Sequence, residues 1–387
     1  MVFCRPGVRM NSEILHKHWD RPCDGGFCTG ISLHGHTLHS KESVKFIKRL
    51  TRESRIVRWV INRHFRTRSD SPSVEHELSR IWWTSPLSAG QALHLERTQI
   101  EEQLEMAPIV SLTDHDNLDA PMHLQLAARN EHVPVSVEWS TLFGDTYFHI
   151  GVHNLPPKSA AEIFGRMKLC KTDSRVELLD GLMDELAATP GVLIVFNHPM
   201  WDQPGRGIKS HVQSVSDFIQ RYQGRIHALE INGMRTCKEN QKVVKLAEEV
   251  NLPVISGGDR HGLEPNATLN VTNASTFAEF ADEIIRDGHS RVVIMPQYRE
   301  PHFLRVIQAM GEVLGEHPEH SLGWTQWGER VFRKQGDGSI CNFTQLFENR
   351  GEPPMLRHLV RMVKILTSQK LRPAFRLAFA KSPQEVL

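Results

Sequence analysis

The sequence predicts an α/β fold in which buried parallel strands alternate with helices and close into a barrel. Three observations predict it. Short apolar runs rich in Val and Ile recur through the first three quarters of the chain, helix-like segments separate most of them, and nearly every run ends in a histidine, a carboxylate or an asparagine.

In chain order, residues 31–33 precede His34-Gly35-His36, and 109–113 lead into Asp114-His115-Asp116. The run 133–137 ends at Glu138, 147–152 carries His149 and leads to His153, and 192–196 ends at Asn197-His198. Residues 226–231 carry Glu230 and lead to Asn232, and 254–258 run into Asp259-Arg260-His261. A further run, 291–295, carries no residue of this kind. Helical patterns fill 88–106, 119–130, 174–188, 210–222, 236–250 and 276–287. The segment 236–250 opens on a capping-type Thr236, places Val243, Val244, Leu246, Ala247 and Val250 at helical spacing, and stops near Pro253. Seven or eight strand–helix units suggest closure, and in such barrels functional groups project from the carboxyl ends of the strands.

Two stretches fall outside a minimal barrel. Residues 44–87 read as an insertion, first basic and helix-like with arginines from Arg49 to Arg68, then a loop around Trp82 and Trp83. Residues 297–387 read as an appended helical region, with helical patterns at 303–314 and 356–366.

The net charge is +1, from 46 Lys and Arg against 45 Asp and Glu, so no global field draws the chain to nucleic acid or a membrane. Six cysteines form no CxxC pair, which argues against a disulfide framework or cysteine zinc knuckle and makes a reducing cytoplasm the expectation. No signal peptide or membrane span is expected, and no obligate protein partner is inferred. The unusual count is 22 histidines, many beside carboxylates.

Residues two apart on a strand face the same way, so one ion could take both His34 and His36. Asp259 and His261 repeat that spacing after Gly257-Gly258, where Asp259 could bind an ion and His261 bind or protonate. His115 is the ligand-type residue of its run, with Asp114 placed to orient an imidazole. Glu138 closes an apolar run, where a carboxylate is costly unless paired or metal-bound. Each has a plain structural alternative, such as a helix cap at Asp116, but strand after strand ends in a ligand-type residue.

This order of motifs, HxH, TDHD, a strand-end Glu, an internal His, NHP and GGDxH, resembles the polymerase and histidinol phosphatase (PHP) superfamily, in its metal-dependent phosphoesterase branch. The resemblance covers residues 29–295, interrupted by the insertion. It implies a distorted seven-stranded (β/α)7 TIM-like barrel with two or three divalent metals, commonly manganese, zinc or iron. It implies that His34, His36, Glu138 and Asp259 hold one metal, with Glu138 bridging to a second completed by His198 and His149, His153 being the alternate. His115 and His261 would serve a third. The family's HTxxSDG becomes His36-Thr37-Leu38-His39-Ser40-Lys41-Glu42 here, with Lys41 in the Asp position. Glu42 or His39 then substitutes, Lys41 supplies charge to a phosphate, or the third site is absent.

The function implied is hydrolysis of a phosphate mono- or diester by a metal-activated water, on a phosphorylated small molecule or oligonucleotide. His261, His115 and Asp259 are the candidate catalytic residues, and Arg206, Arg260 and Lys41 the candidate phosphate contacts. Two competitors are a C–N hydrolase of amidohydrolase type and a non-catalytic module binding metal or nucleotide.

Overall fold

A computed structural model describes residues 11–18, 26–44, 79–127, 133–173, 175–202, 205, 207–348 and 351–368. The basic arginine stretch of the insertion and Arg206 lie outside these residues.

The fold is mixed α/β, and its described strands form three open sheets. The first has the order β1-β12-β11-β2-β5, from β1 (Asn11–His16), β2 (Thr29–Ser32), β5 (Ala107–Val110), β11 (Thr268–Thr272) and β12 (His289–Ile294). The second has the order β10-β9-β8-β7-β6, from β6 (Val135–Phe143), β7 (Thr146–Leu155), β8 (Leu193–Phe196), β9 (Ala228–Asn232) and β10 (Val254–Gly257). The third joins β3 (Glu42–Ser43) and β4 (Ile81–Trp83) to β13 (Val331–Lys334) and β14 (Ile340–Asn342), in the order β14-β13-β4-β3.

The expected closed (β/α)7 barrel of TIM type is therefore corrected: the described sheets are open and form no barrel. Two physical reasons stand out. Strand β11 pairs antiparallel with both β12 and β2, and β7 pairs antiparallel with β6 and β8, so the parallel repeat that keeps barrel strands evenly tilted is broken. At the edge of the second sheet, backbone donors of β10 go to side chains: Val254 N donates to Ser12 Oγ at 2.9 Å and Ser256 N to Asn270 Oδ1 at 2.7 Å. At the other edge, the hydroxyl of Ser111 donates to Ser136 Oγ at 2.7 Å, and only an isolated bridge joins His115 to Glu138.

Helices α1 (Ala89–Leu104), α2 (Asp119–Ala127), α3 (Ala160–Thr172), α4 (Val176–Ala188), α5 (Ile208–Arg221), α6 (Cys237–Val250) and α7 (Phe277–Asp282) connect the strands of the two larger sheets. Helix α6 shows why the sequence folds as read: Thr236 accepts from Glu239 N, Glu239 returns a bond to the Thr236 backbone, and Asn251 turns left-handed at φ 51°. Such a reciprocal cap contributes about 1 kcal/mol. Helix α7 runs on into a π-helical turn (Glu283–Asp287) that ends at Gly288. The core of the second sheet is aromatic, with Phe148, Phe196, Phe218 and Tyr222 in mutual ring contact at 4.8 to 5.1 Å along the chain of neighbours.

The tail is not purely helical, a second correction. Helices α8 (His302–Val313), α9 (Phe343–Phe347) and α10 (Pro354–Leu366) flank the β13–β14 hairpin, whose first strand pairs with Trp82 and Trp83 of β4. The sequence carries a hairpin signal here, Gln335-Gly336-Asp337-Gly338-Ser339, between two short apolar runs. Among the described residues, no helix is long and apolar enough to cross a membrane.

Candidate metal centre

Glu138 lies within β6 rather than at its end, because β6 continues to Phe143 in a hairpin with β7. Its carboxylate is fully buried, and burying a lone charge costs several kcal/mol. What surrounds it is a shell of imidazoles. Oε1 stands 3.1 Å from His149 Nδ1 and 3.0 Å from His198 Nε2, while Oε2 stands 3.1 Å from both His34 Nε2 and His115 Nδ1. Burial would raise the Glu138 pKa, but His115, His34 and His149 outweigh it and hold the carboxyl well below its ordinary range.

His34 and His36 leave β2 on the same side, as their spacing requires. Their Nε2 atoms face each other at 3.1 Å, and Asp259 Oδ1 lies 3.4 Å from His36 Nε2 and 3.7 Å from His34 Nε2. Burial opposes charge on His34, yet Glu138, Glu230 and Asp259 together raise its pKa well above the ordinary value. His36 goes the other way, down to about 4, because burial and the neighbouring His261 disfavour its proton.

The third corner is Glu42, carried on β3. Its Oε2 is 3.4 Å from His115 Nε2 and 3.3 Å from His261 Nε2, and its Oε1 is 3.6 Å from His36 Nδ1. Burial would lift the Glu42 pKa, but those three histidines push it well below its usual range. His115 is resisted by burial and held up to about 10 by Glu138 and Glu42. His261 is raised likewise, against burial, by Glu42 and Asp259.

Four overlapping groups result: His34, His36 and Asp259; His36, His115 and Glu138; His36, Glu42 and His261; and Glu138, His149 and His198. Within each, one donor atom per residue lies within 4.8 Å of the others. The donor chemistry fits a divalent cation. Glu138 Oε2 is buried without a hydrogen-bond partner, and the two facing Nε2 atoms present lone pairs in their neutral forms.

Backbone strain accompanies the geometry. Asp259 at φ 56° and His198 at φ 31° are non-glycine residues in the left-handed region, an expense of about 1 kcal/mol or more each. Asp259 N donates to His34 O at 2.8 Å, and His198 N to Glu230 Oε2 at 2.7 Å, which holds both turns.

Other expected residues lie elsewhere. His153 is 2.8 Å from Ser111 Oγ, and its ring stacks on Phe277. His39 sits beside Asp119 and His123. Asp114 orients no imidazole: it accepts from Thr37 N and Thr37 Oγ1, both at 2.6 Å, and burial lifts its pKa to about 7. Arg260 is buried, donating from Nε to Gly262 O at 2.9 Å and from Nη2 to Leu263 O at 2.7 Å. Lys41 lies 5.7 Å from the Trp82 ring centroid and lines a cavity of about 740 Å³ that opens onto the cluster.

Two residues near the cluster are not singled out by sequence alone. Arg235, three residues past β9, lies 3.3 Å from Asp259 Oδ2, and its guanidinium covers the Trp201 ring at 3.9 Å from the centroid. Lys171, near the end of α3, pairs with Asp116, and both line the same cavity. Position just after a strand's carboxyl end was the available signal for Arg235.

No family model matches the chain, and no curated protein matches it. Among solved structures, an amidohydrolase from Chromobacterium violaceum is 19% identical, with 46% of this chain and 84% of that one covered and a TM-score of 0.29. A candidate metal-dependent phosphoesterase from Bifidobacterium adolescentis is 13% identical, with 68% and 97% covered and a TM-score of 0.35. Likenesses this weak establish no family.

Proposed function

We propose that the chain is a metal-dependent phosphoesterase acting on a phosphate mono- or diester seated over the Glu138 cluster. The observation that carries the reading is Glu138 itself, a buried carboxylate with imidazoles on both oxygens, so that two cation positions would share it. His34, His36 and Asp259 would complete one position, and His149 and His198 a second. His115, Glu42 and His261 would serve a third, with Glu42 taking the role that the Lys41 position has lost. Divalent ions held by these residues would lower the pKa of a water and neutralise charge on phosphate oxygens.

The chain's own groups supply the rest. Arg235 is a planar, permanently charged donor held by Trp201 and Asp259 at the cavity wall, suited to bidentate contact with a phosphate. Lys41 and Lys171 add point charges at the same cavity. His261 donates its Nδ1–H to the Asp259 carbonyl at 2.8 Å, leaving Nε2 on the side of the cavity and Glu42. With the third position unfilled, that nitrogen would carry the proton the leaving oxygen needs. Trp83 closes over the same ring at 5.4 Å between centroids, limiting water.

The test is elemental analysis of the purified protein, with hydrolysis of an aryl phosphate and of a matched aryl amide in added manganese. Two or more metals per chain and turnover of the phosphate alone are expected. No metal and no turnover after reconstitution would end the reading, and turnover of the amide alone would replace it.

A further inference from the structure

The cavity above the cluster is far larger than a phosphate requires. Its volume of about 740 Å³ is that of a pocket for a drug-sized molecule. Its lining is of two kinds. His115, His149, Asp259 and His261 line it, with the cations of Lys41, Lys171 and Arg235. The tail adds an apolar wall. Val306, Met310 and Leu314 recur every four residues along α8 and its end, so one face of that helix lines the cavity. Leu356 and Val360, again four apart, do the same from α10, and Trp327 and Val331 line the cavity as well.

Resting on the phosphoesterase reading, we propose that the organic group of the substrate is a large apolar chain or ring system lying along α8 and α10. The physical argument is one of matching. A hydroxyl-rich sugar or a nucleobase placed against this wall would lose its water without gaining partners, at a cost in affinity. An alkyl or aryl group gains there, by about fourfold in affinity for each methylene fully buried. The cations and the ligand-type residues line the same cavity as the apolar wall, so one molecule can meet both with its anionic head and its organic group. This explains the tail's place beside the site: it builds a subsite for the part of the ester that does not react.

The experiment is calorimetric titration of the metal-loaded full chain with octylphosphonate, methylphosphonate and adenosine monophosphate. The carbon–phosphorus bond of the phosphonates keeps their binding separate from ester turnover. Octylphosphonate is expected to bind at least about a hundredfold more tightly than methylphosphonate and more tightly than the nucleotide, with a negative heat-capacity change. Met310→Glu and, as a second variant at another helix, Leu356→Glu should each bring octylphosphonate down toward methylphosphonate. Equal affinity for the two phosphonates, or tighter binding of the nucleotide, would overturn the proposal. Chain-length preference without turnover of any phosphate ester would support the subsite and end the phosphoesterase reading. Turnover of aryl phosphate without chain-length preference would do the reverse.

Discussion

His34 Nδ1 stands 2.6 Å from Glu230 Oε1, and this contact decides which nitrogen of His34 faces the cluster. A carboxylate only accepts, so Nδ1 carries a hydrogen, and when the ring gives up its second proton to a cation it is Nε2, toward Glu138 and His36, that presents the lone pair. Replacing the carboxylate by an amide allows donation to Nδ1 and the opposite tautomer. Glu230→Gln is expected to weaken metal binding by about tenfold to a hundredfold while the protein stays folded. Competition with a chelator of known affinity checks it, with circular dichroism to confirm the fold.

Gly257 is bound to that same carboxylate by space alone. A Cβ on Gly257 would lie 1.4 Å from Glu230 Oε1, so alanine cannot enter without moving Glu230. Gly257→Ala should destabilise the fold by about 1–3 kcal/mol and lower metal content as well. Denaturant unfolding and metal analysis on the same preparation would show both losses. A stable variant with full metal would mean that Glu230 has an alternative place to go.

His34→Ala and Asp259→Ala each remove a donor from the group around His36. Metal and activity should be lost together, with thermal unfolding still cooperative. Retention of full activity in either variant would remove that group from the proposed site.

Away from the cluster, His227 gives a pH signature. Ile194 N donates to His227 Nδ1 at 3.0 Å, which requires that nitrogen to be unprotonated, and burial lowers the pKa to about 4. Below its ordinary value the unfolded chain takes up a proton that the folded one refuses. The stability contributed by neutral His227 is thus fully present above about pH 6.5 and declines as the pH falls toward 4. His227→Asn keeps an acceptor but does not titrate, so the advantage of wild type over this variant should shrink across that interval. Chemical denaturation at several pH values would reveal it, and a constant difference would contradict it.

Much of the secondary structure is legible because local signals agree with the packing. The predicted helix at 236–250 matches α6, where cap, periodicity and left-handed stop coincide. The predicted tail helices match α8 and α10 for the same reason. Two strands escape. Thr268–Thr272 is buried along its whole length although polar residues alternate through it, and Asn11–His16 mixes polar and apolar positions without a clean period. Barrel closure was misread because strand count says nothing about whether backbone or side chains fill a seam. Ser12 and Asn270 occupy positions where a ladder was expected, and nothing in their local sequence announces it.

The candidate site is legible to a different degree. His34, His36, His115, Glu138, His149, His198, Asp259 and His261, all readable beside apolar runs, lie together. The choice of His149 over His153 depends on position along β7 relative to Glu138 and not on strand face, because their spacing of four puts both on one face of an ideal strand. Glu42 and Arg235 belong to the neighbourhood through contacts with His115 and Asp259 across 73 and 24 residues of sequence, which no local pattern encodes.

The third sheet joins Glu42 to Trp83 and Trp83 to Val331, so a carboxylate near the chain's beginning is braced by a hairpin near its end. Strand β4 and the β13–β14 hairpin are two halves of one bracket, separated in sequence by most of the strands of the two larger sheets. Trimming the tail as a dispensable extension would leave one wall of the metal centre without its support.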